Sequence, residues 1–184
     1  MANVVVFLLQ ATVGSGPLQL FALWPSLGAL LFAPWQLVTY SFLHASIGHI
    51  FFNMFAVWMF GGELERFWGS RRFVYTYFAS VITAALAQTL FGTMFGEYGL
   101  VIGASGGVFG LLLCYGLIFP NRRVMLLLPP IPMPAKVLVI VYGGLELFLG
   151  TFGIQVGVAH FAHLGGMLGG WLMLRYYRGS RRRW

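Results

Sequence analysis

The stretch RFVYTYFASVITAALAQTLFGTM, residues 72–94, carries no charge after its first residue. A helix needs about 20 apolar residues to cross the hydrocarbon of a bilayer, so this segment is long enough to span one. Working outward, apolar runs bounded by charges and Pro/Gly breaks give six candidate helices: 3–14, 47–62, 72–94, 104–119, 135–152 and 157–177. The 184 residues are 59% hydrophobic and only 8% charged, too few charges to cover a water-soluble globule. The expected fold is all-α: a polytopic integral membrane protein, one domain over 1–184, with six transmembrane helices.

A net charge of +7 would suit nucleic acid, but the placement of the basic residues argues otherwise. Arg66, Arg71 and Arg72 lie between the second and third runs, and Arg122, Arg123 and Lys136 between the fourth and fifth. Arg175, Arg178 and Arg181 to Arg183 close or follow the sixth. With six spans all of them fall on one side, which the positive-inside rule makes cytoplasmic. Five or seven spans would scatter them. Both termini are then expected inside, with residues 15–45, 95–103 and 153–157 outside. The basic tail, about 178–184, orients the chain and contacts anionic headgroups. Glu63, Glu65 and Arg66 read as a solvated or locally paired inner end of the second helix. The first run is short, so its helix is either truncated at the start of the chain or begins inside the membrane; no cleavable signal peptide is expected. Trp24 and Trp35 suggest that the connection 15–45 lies in the membrane interface. The one cysteine, Cys114, excludes an intrachain disulfide and a multi-cysteine metal site and reads as a packed core thiol.

The unusual chemistry collects at the outer side, where the second, fourth and sixth helices begin. His49 and Asn53, four residues apart, share a helix face. The fourth run opens with Gly103-Ala104-Ser105-Gly106-Gly107 and the sixth with His160-Phe161-Ala162-His163. At a rise of ~1.5 Å per residue, Ser105, His49 and His163 all fall within roughly 10 Å of the outer boundary. Polar side chains are costly in hydrocarbon, so a shared depth marks a site. A serine hydroxyl needs a base to become nucleophilic, and His163 is the candidate. The oxyanion formed by attack needs donors already in place, which His49, the Asn53 amide and the backbone N–H of Ser105 can supply. Gly106 on the fourth helix and the small-xxx-small pair Gly166 and Gly170 on the sixth permit close backbone packing. Phe109, one turn after Ser105, offers an apolar floor beneath the imidazole.

These residues resemble the rhomboid family of intramembrane proteases in three motifs: Gly103-Ala-Ser105-Gly106, His49-Ile-Phe-Phe-Asn53, and Ala162-His163-Leu-Gly-Gly166-Met-Leu-Gly-Gly170. The similarity runs from about residue 36 and includes Gly61-Gly62-Glu63-Leu64-Glu65 closing the second helix. It implies a rhomboid-like bundle with Ser105 as nucleophile, His163 as general base, oxyanion stabilisation by His49, Asn53 and the Ser105 amide, and no acidic third member. It also implies a water cavity open to the outer face. The first loop would lie partly in the membrane, with substrate access gated by residues 135–152 and 153–157. The expected partners are the bilayer and single-span transmembrane protein substrates, cut near the outer boundary after a small residue. No cofactor, metal or nucleic acid and no particular oligomeric state is implied; a compact core of this kind suits a bacterial inner (plasma) membrane.

Blander readings stand beside these. Ser105 alone could be a helix cap. His44, His49, His160 and His163 cluster near the outer ends and could hold a metal or haem, but no carboxylate or thiolate is evident among them and there is no His-Glu-x-x-His run. His160 rivals His163 as the base, yet only His163 has Gly166 and Gly170 at the matching spacing. Glu146, mid-run in the fifth helix, keeps a proton-coupled carrier in view, although the halves show no inverted repeat; a protonated or hydrogen-bonded role within the bundle is the plainer expectation. A non-catalytic relative would be expected to have lost Ser105 or His163.

Overall fold

The computed structural model describes residues 1–96, 99–125, 130–152 and 159–180. The chain is mostly helical. In order it forms α1 (Ala2–Val13), short pieces α2 (Ser15–Leu18), α3 (Leu27–Phe32) and α4 (Gln36–Thr39), then α5 (Ile47–Ala56), α6 (Gly62–Trp68), α7 (Ser70–Phe95), α8 (Ser105–Ile118), α9 (Ala135–Phe152) and α10 (His160–Ser180). By length and composition α7 and α9 can each cross a membrane, and the pair Gln36–Phe42 and Ile47–Trp68, bent by 105°, makes a third candidate; α1 and α8 are shorter apolar helices. Helices lie in all six expected regions, α9 with the expected ends and the others with shifted ones, but among the described residues two or three meet the length and composition of a span. Residues 153–158, covering the expected outer cap and the start of the sixth run, lie outside the described residues, as does 181–184 of the basic tail.

Within lipid there is no water to drive helices together, so close packing and hydrogen bonds must hold the bundle. The centre is α10 against α7 and α8. Two adjacent glycine stripes on α10 make this possible: a Cβ on Gly165 or Gly169 would collide with α7, and one on Gly166 or Gly170 with the α8 backbone at Gly106 and Gly110. Hydroxyls on α7 stay satisfied by bonding back one turn, Thr76 to the Arg72 carbonyl and Ser80 to that of Thr76, both at 2.8 Å. Leu64, Leu111, Leu138, Tyr115 and Leu174 pack together in the larger apolar core of the bundle. Ile140, Leu147, Phe148 and Phe152 of α9 face outward.

The second helix does not close at Gly61-Gly62. It continues from α5 through a π-helical turn, Val57–Gly61, into α6 and ends at Gly69, whose φ of 82° only glycine adopts readily. Gly61 serves packing instead, since a Cβ there would stand 2.8 Å from Cε2 of Phe73. A second departure from an all-helical chain is a small antiparallel hairpin, β1 (Arg123–Met125) with β2 (Pro132–Pro134), between α8 and α9.

The first connection is anchored from three sides. Asn3 Nδ2 of α1 donates to the Ser41 carbonyl at 2.9 Å, and the Gln10 amide accepts from the His44 N–H at 2.9 Å while donating to the His44 carbonyl at 3.3 Å. The buried Tyr40 hydroxyl donates to the Val81 carbonyl of α7 at 2.9 Å, and the Tyr40 carbonyl accepts from Gly103 N–H at 3.0 Å. Leu23 and Val101 exchange two backbone bonds. These ties fix the segment just before α5 against the one just before α8, where the candidate residues lie. Trp24 and Trp35 are both partly exposed, alongside exposed Leu31 and Phe32.

Candidate active site

Ser105 is the first residue of α8, so its N–H is among the four that have no partner within the helix. Its Oγ lies 2.8 Å from Nε2 of His163, in the first turn of α10. The α8/α10 crossing sets that distance: Gly106 follows Ser105 directly and packs on Gly166, one turn beyond His163. The Phe109 ring stacks on the His163 imidazole, centroids 4.2 Å apart and planes 7° from parallel, which confines the ring to one orientation.

His49 and Asn53 come from α5, whose start is capped by Ser46 Oγ accepting from the His49 N–H at 3.1 Å. His49 Nδ1 accepts from the Ala45 N–H at 3.4 Å, which leaves the ring proton on Nε2. That Nε2 faces Gly103, where a Cβ would lie 2.6 Å away, and Gly103 itself has a φ of 124°. Glycine is required there on both counts. Asn53 Nδ2 is buried on the same side with no hydrogen-bond partner among the described residues. His44 packs edge-on against His49, centroids 5.0 Å apart.

The structure thus brings Ser105, His163, Phe109, Gly106, Gly166 and Gly170 to one crossing, with His49, Asn53 and Gly103 beside it. The four histidines do not form one cluster. His44 and His49 pair on the α5 side, while His160 and His163 turn toward α9, where Glu146 meets both: Oε1 lies 3.0 Å from His163 Nδ1 and Oε2 2.6 Å from His160 Nδ1. A carboxylate therefore does join the histidines, and ligand atoms of Glu146, His160 and His163 lie within 4.8 Å of one another, close enough for a metal ion. With His163 Nε2 already facing Ser105, these three donors would leave the fourth position of a tetrahedral metal to water. The sequence carries only a partial signal: eleven residues into α9, about 16 Å along its axis, Glu146 stands at the end of the bundle that holds the histidines, with nothing to say which way it faces.

Apolar helices that turn His160, His163, Asn53 and Gln88 inward define an integral membrane protein. Residues 32–180 match the Rhomboid domain family model, and the chain belongs to the rhomboid family. It is 32% identical over 174 residues to the rhomboid protease GlpG of Serratia proteamaculans, an alignment covering 92% of this chain and 58% of that protein. It is 33% identical over 141 residues to the rhomboid protease GluP of Bacillus subtilis, covering 74% of this chain and 24% of the relative. To the mitochondrial Rhomboid protein 1 of Saccharomyces cerevisiae it is 30% identical over 154 residues, covering 78% of this chain and 43% of that one. The chain therefore spans from about a quarter to somewhat under three fifths of the length of these relatives.

Proposed function

We propose that this protein is an intramembrane serine endopeptidase that cuts single-span membrane proteins near the outer boundary of the bilayer. The observation that carries the proposal is the 2.8 Å approach of Ser105 Oγ to His163 Nε2 at a partly buried helix crossing. The Ser105 hydroxyl donates to Nε2; as Oγ attacks the scissile carbonyl carbon, its proton passes to His163. The resulting oxyanion accepts from the Ser105 N–H, the Asn53 amide and the His49 Nε2–H. His163 then gives its proton to the departing amine, leaving an acyl-serine. Water from the outer side attacks that ester with His163 again as base, and Ser105 is regenerated.

Six spans, both termini cytoplasmic, and one domain with an interfacial first loop over 15–45 complete the reading, in keeping with the one-sided basic residues. Membership of the family and the names of its relatives support proteolysis, and a bacterial inner membrane suits the compact core. A fluorophosphonate probe tests the site directly. Peptide mapping by mass spectrometry is expected to find the adduct on Ser105 alone, and no adduct in His163→Ala; labelling of another serine, or full labelling without His163, contradicts the assignment.

A further inference from the structure

We propose, resting on the protease reading above, that Glu146 is a positioning residue for His163, so that Ser105, His163 and Glu146 act as a three-membered relay with His160 as anchor of the carboxylate. For Ser105 to donate to Nε2, that nitrogen must be the bare one, which requires the ring proton on Nδ1. Neutral imidazole in water prefers the opposite tautomer, so something must hold the proton on Nδ1. Glu146 Oε1 stands 3.0 Å from Nδ1. The approach is off the N–H axis, so Nδ1 lacks an aligned hydrogen bond, as is common before substrate tightens a site. The other oxygen, 2.6 Å from His160 Nδ1, keeps the carboxylate from swinging away. His160 and His163 lie three residues apart on one face of α10, so one carboxylate from α9 reaches both.

The placement is costly unless it is used. A carboxylate whose side chain is 12% exposed, on a helix whose buried residues are Ala135 and Leu138 near its start, finds its compensation among the described residues at the two rings. When His163 takes the proton from Ser105, the imidazolium forms beside this negative charge, so the carboxylate stabilises the charge that develops during attack. A purely structural tether between α9 and α10 would hold the helices together without any bearing on which nitrogen carries the proton.

The test uses the full chain in detergent, measuring the rate of fluorophosphonate labelling at Ser105, which needs no substrate docking, and the ¹⁵N shifts of the His163 ring. In the native chain the ring is expected as the Nδ1–H tautomer. Glu146→Gln, near-isosteric and uncharged, is expected to label roughly 10²-fold more slowly, and Glu146→Ala to move His163 toward the Nε2–H tautomer as well. Glu146→Asp, which keeps the charge on a shorter arm, is expected to recover part of the rate. Native labelling rates in Glu146→Gln with an unchanged tautomer overturn the inference. So does labelling of the native chain that is lost to chelator and restored by zinc, which makes the cluster a metal site. If the native chain fails to label at Ser105, the protease reading falls first, and the two failures are thereby distinguished.

Discussion

Replacing Gly166 by alanine adds one methyl at the point where α10 touches α8. There is no room for it: the added Cβ would overlap the Gly106 backbone, with the Gly106 Cα only 3.1 Å away. Backbone cannot rotate aside as a side chain can, so α10 must lift from α8. Overpacking of this kind costs about 1–3 kcal/mol, against which the better helix propensity of alanine returns about 1. The catalytic effect is larger, because the contact sits between the two reacting groups. Ser105 immediately precedes Gly106 and His163 is one turn before Gly166, so lifting the crossing by about 1 Å stretches the 2.8 Å Ser105–His163 approach, a misplacement that can cost about 10²-fold in rate. The control is Gly144→Ala on α9, where an added Cβ meets nothing within 4 Å. Thermal unfolding in detergent, together with the fluorophosphonate labelling rate, is expected to show Gly166→Ala both destabilised and roughly 10²-fold slower, and Gly144→Ala unchanged in rate. Native stability and rate in Gly166→Ala would refute the idea that this crossing sets the dyad distance.

Two further outcomes are expected. Asn53→Ala removes a buried amide whose Nδ2 has no partner among the described residues, so it is expected to leave stability unchanged or raised while lowering kcat about 10²–10³-fold at constant KM; loss of stability with native kcat contradicts an oxyanion role. Gln10→Ala breaks two hydrogen bonds to the His44 backbone and is expected to cost about 1–3 kcal/mol in thermal unfolding, whereas an unchanged midpoint would show that α1 does not clamp the first loop.

Much of the fold was legible because hydrocarbon imposes a simple rule: a long uncharged run such as 72–94 has few alternatives to a helix. Helix ends were less so. Gly61-Gly62 reads as a stop, but glycine in a membrane bundle is as often a packing residue, and only the ring of Phe73 shows which. The hairpin at Arg123–Met125 and Pro132–Pro134 is too short to leave a period, and prolines obscure it. Asn3 and Gln10 lie seven residues apart on α1, a spacing that places them on one face, but what they grip is 34 or more residues away in sequence. At the site, Ser105, His163, His49 and Asn53 could be gathered from depth alone, because each sits near the start of its helix. Glu146 could not be matched to a partner that way. It enters from the other end of its helix, and whether it faces lipid or the bundle depends on a rotation of α9 that the surrounding apolar sequence does not specify.

The most direct measurement is cleavage of a single-span reporter protein co-reconstituted in liposomes, comparing the native chain with Ser105→Ala and His163→Ala, with and without a metal chelator. The expected result is a cut near the outer boundary of the reporter's span, indifferent to chelator and abolished in both variants. Cleavage that survives either substitution, or a native chain inert toward several reporters while it binds metal or moves protons, would contradict a serine–histidine protease.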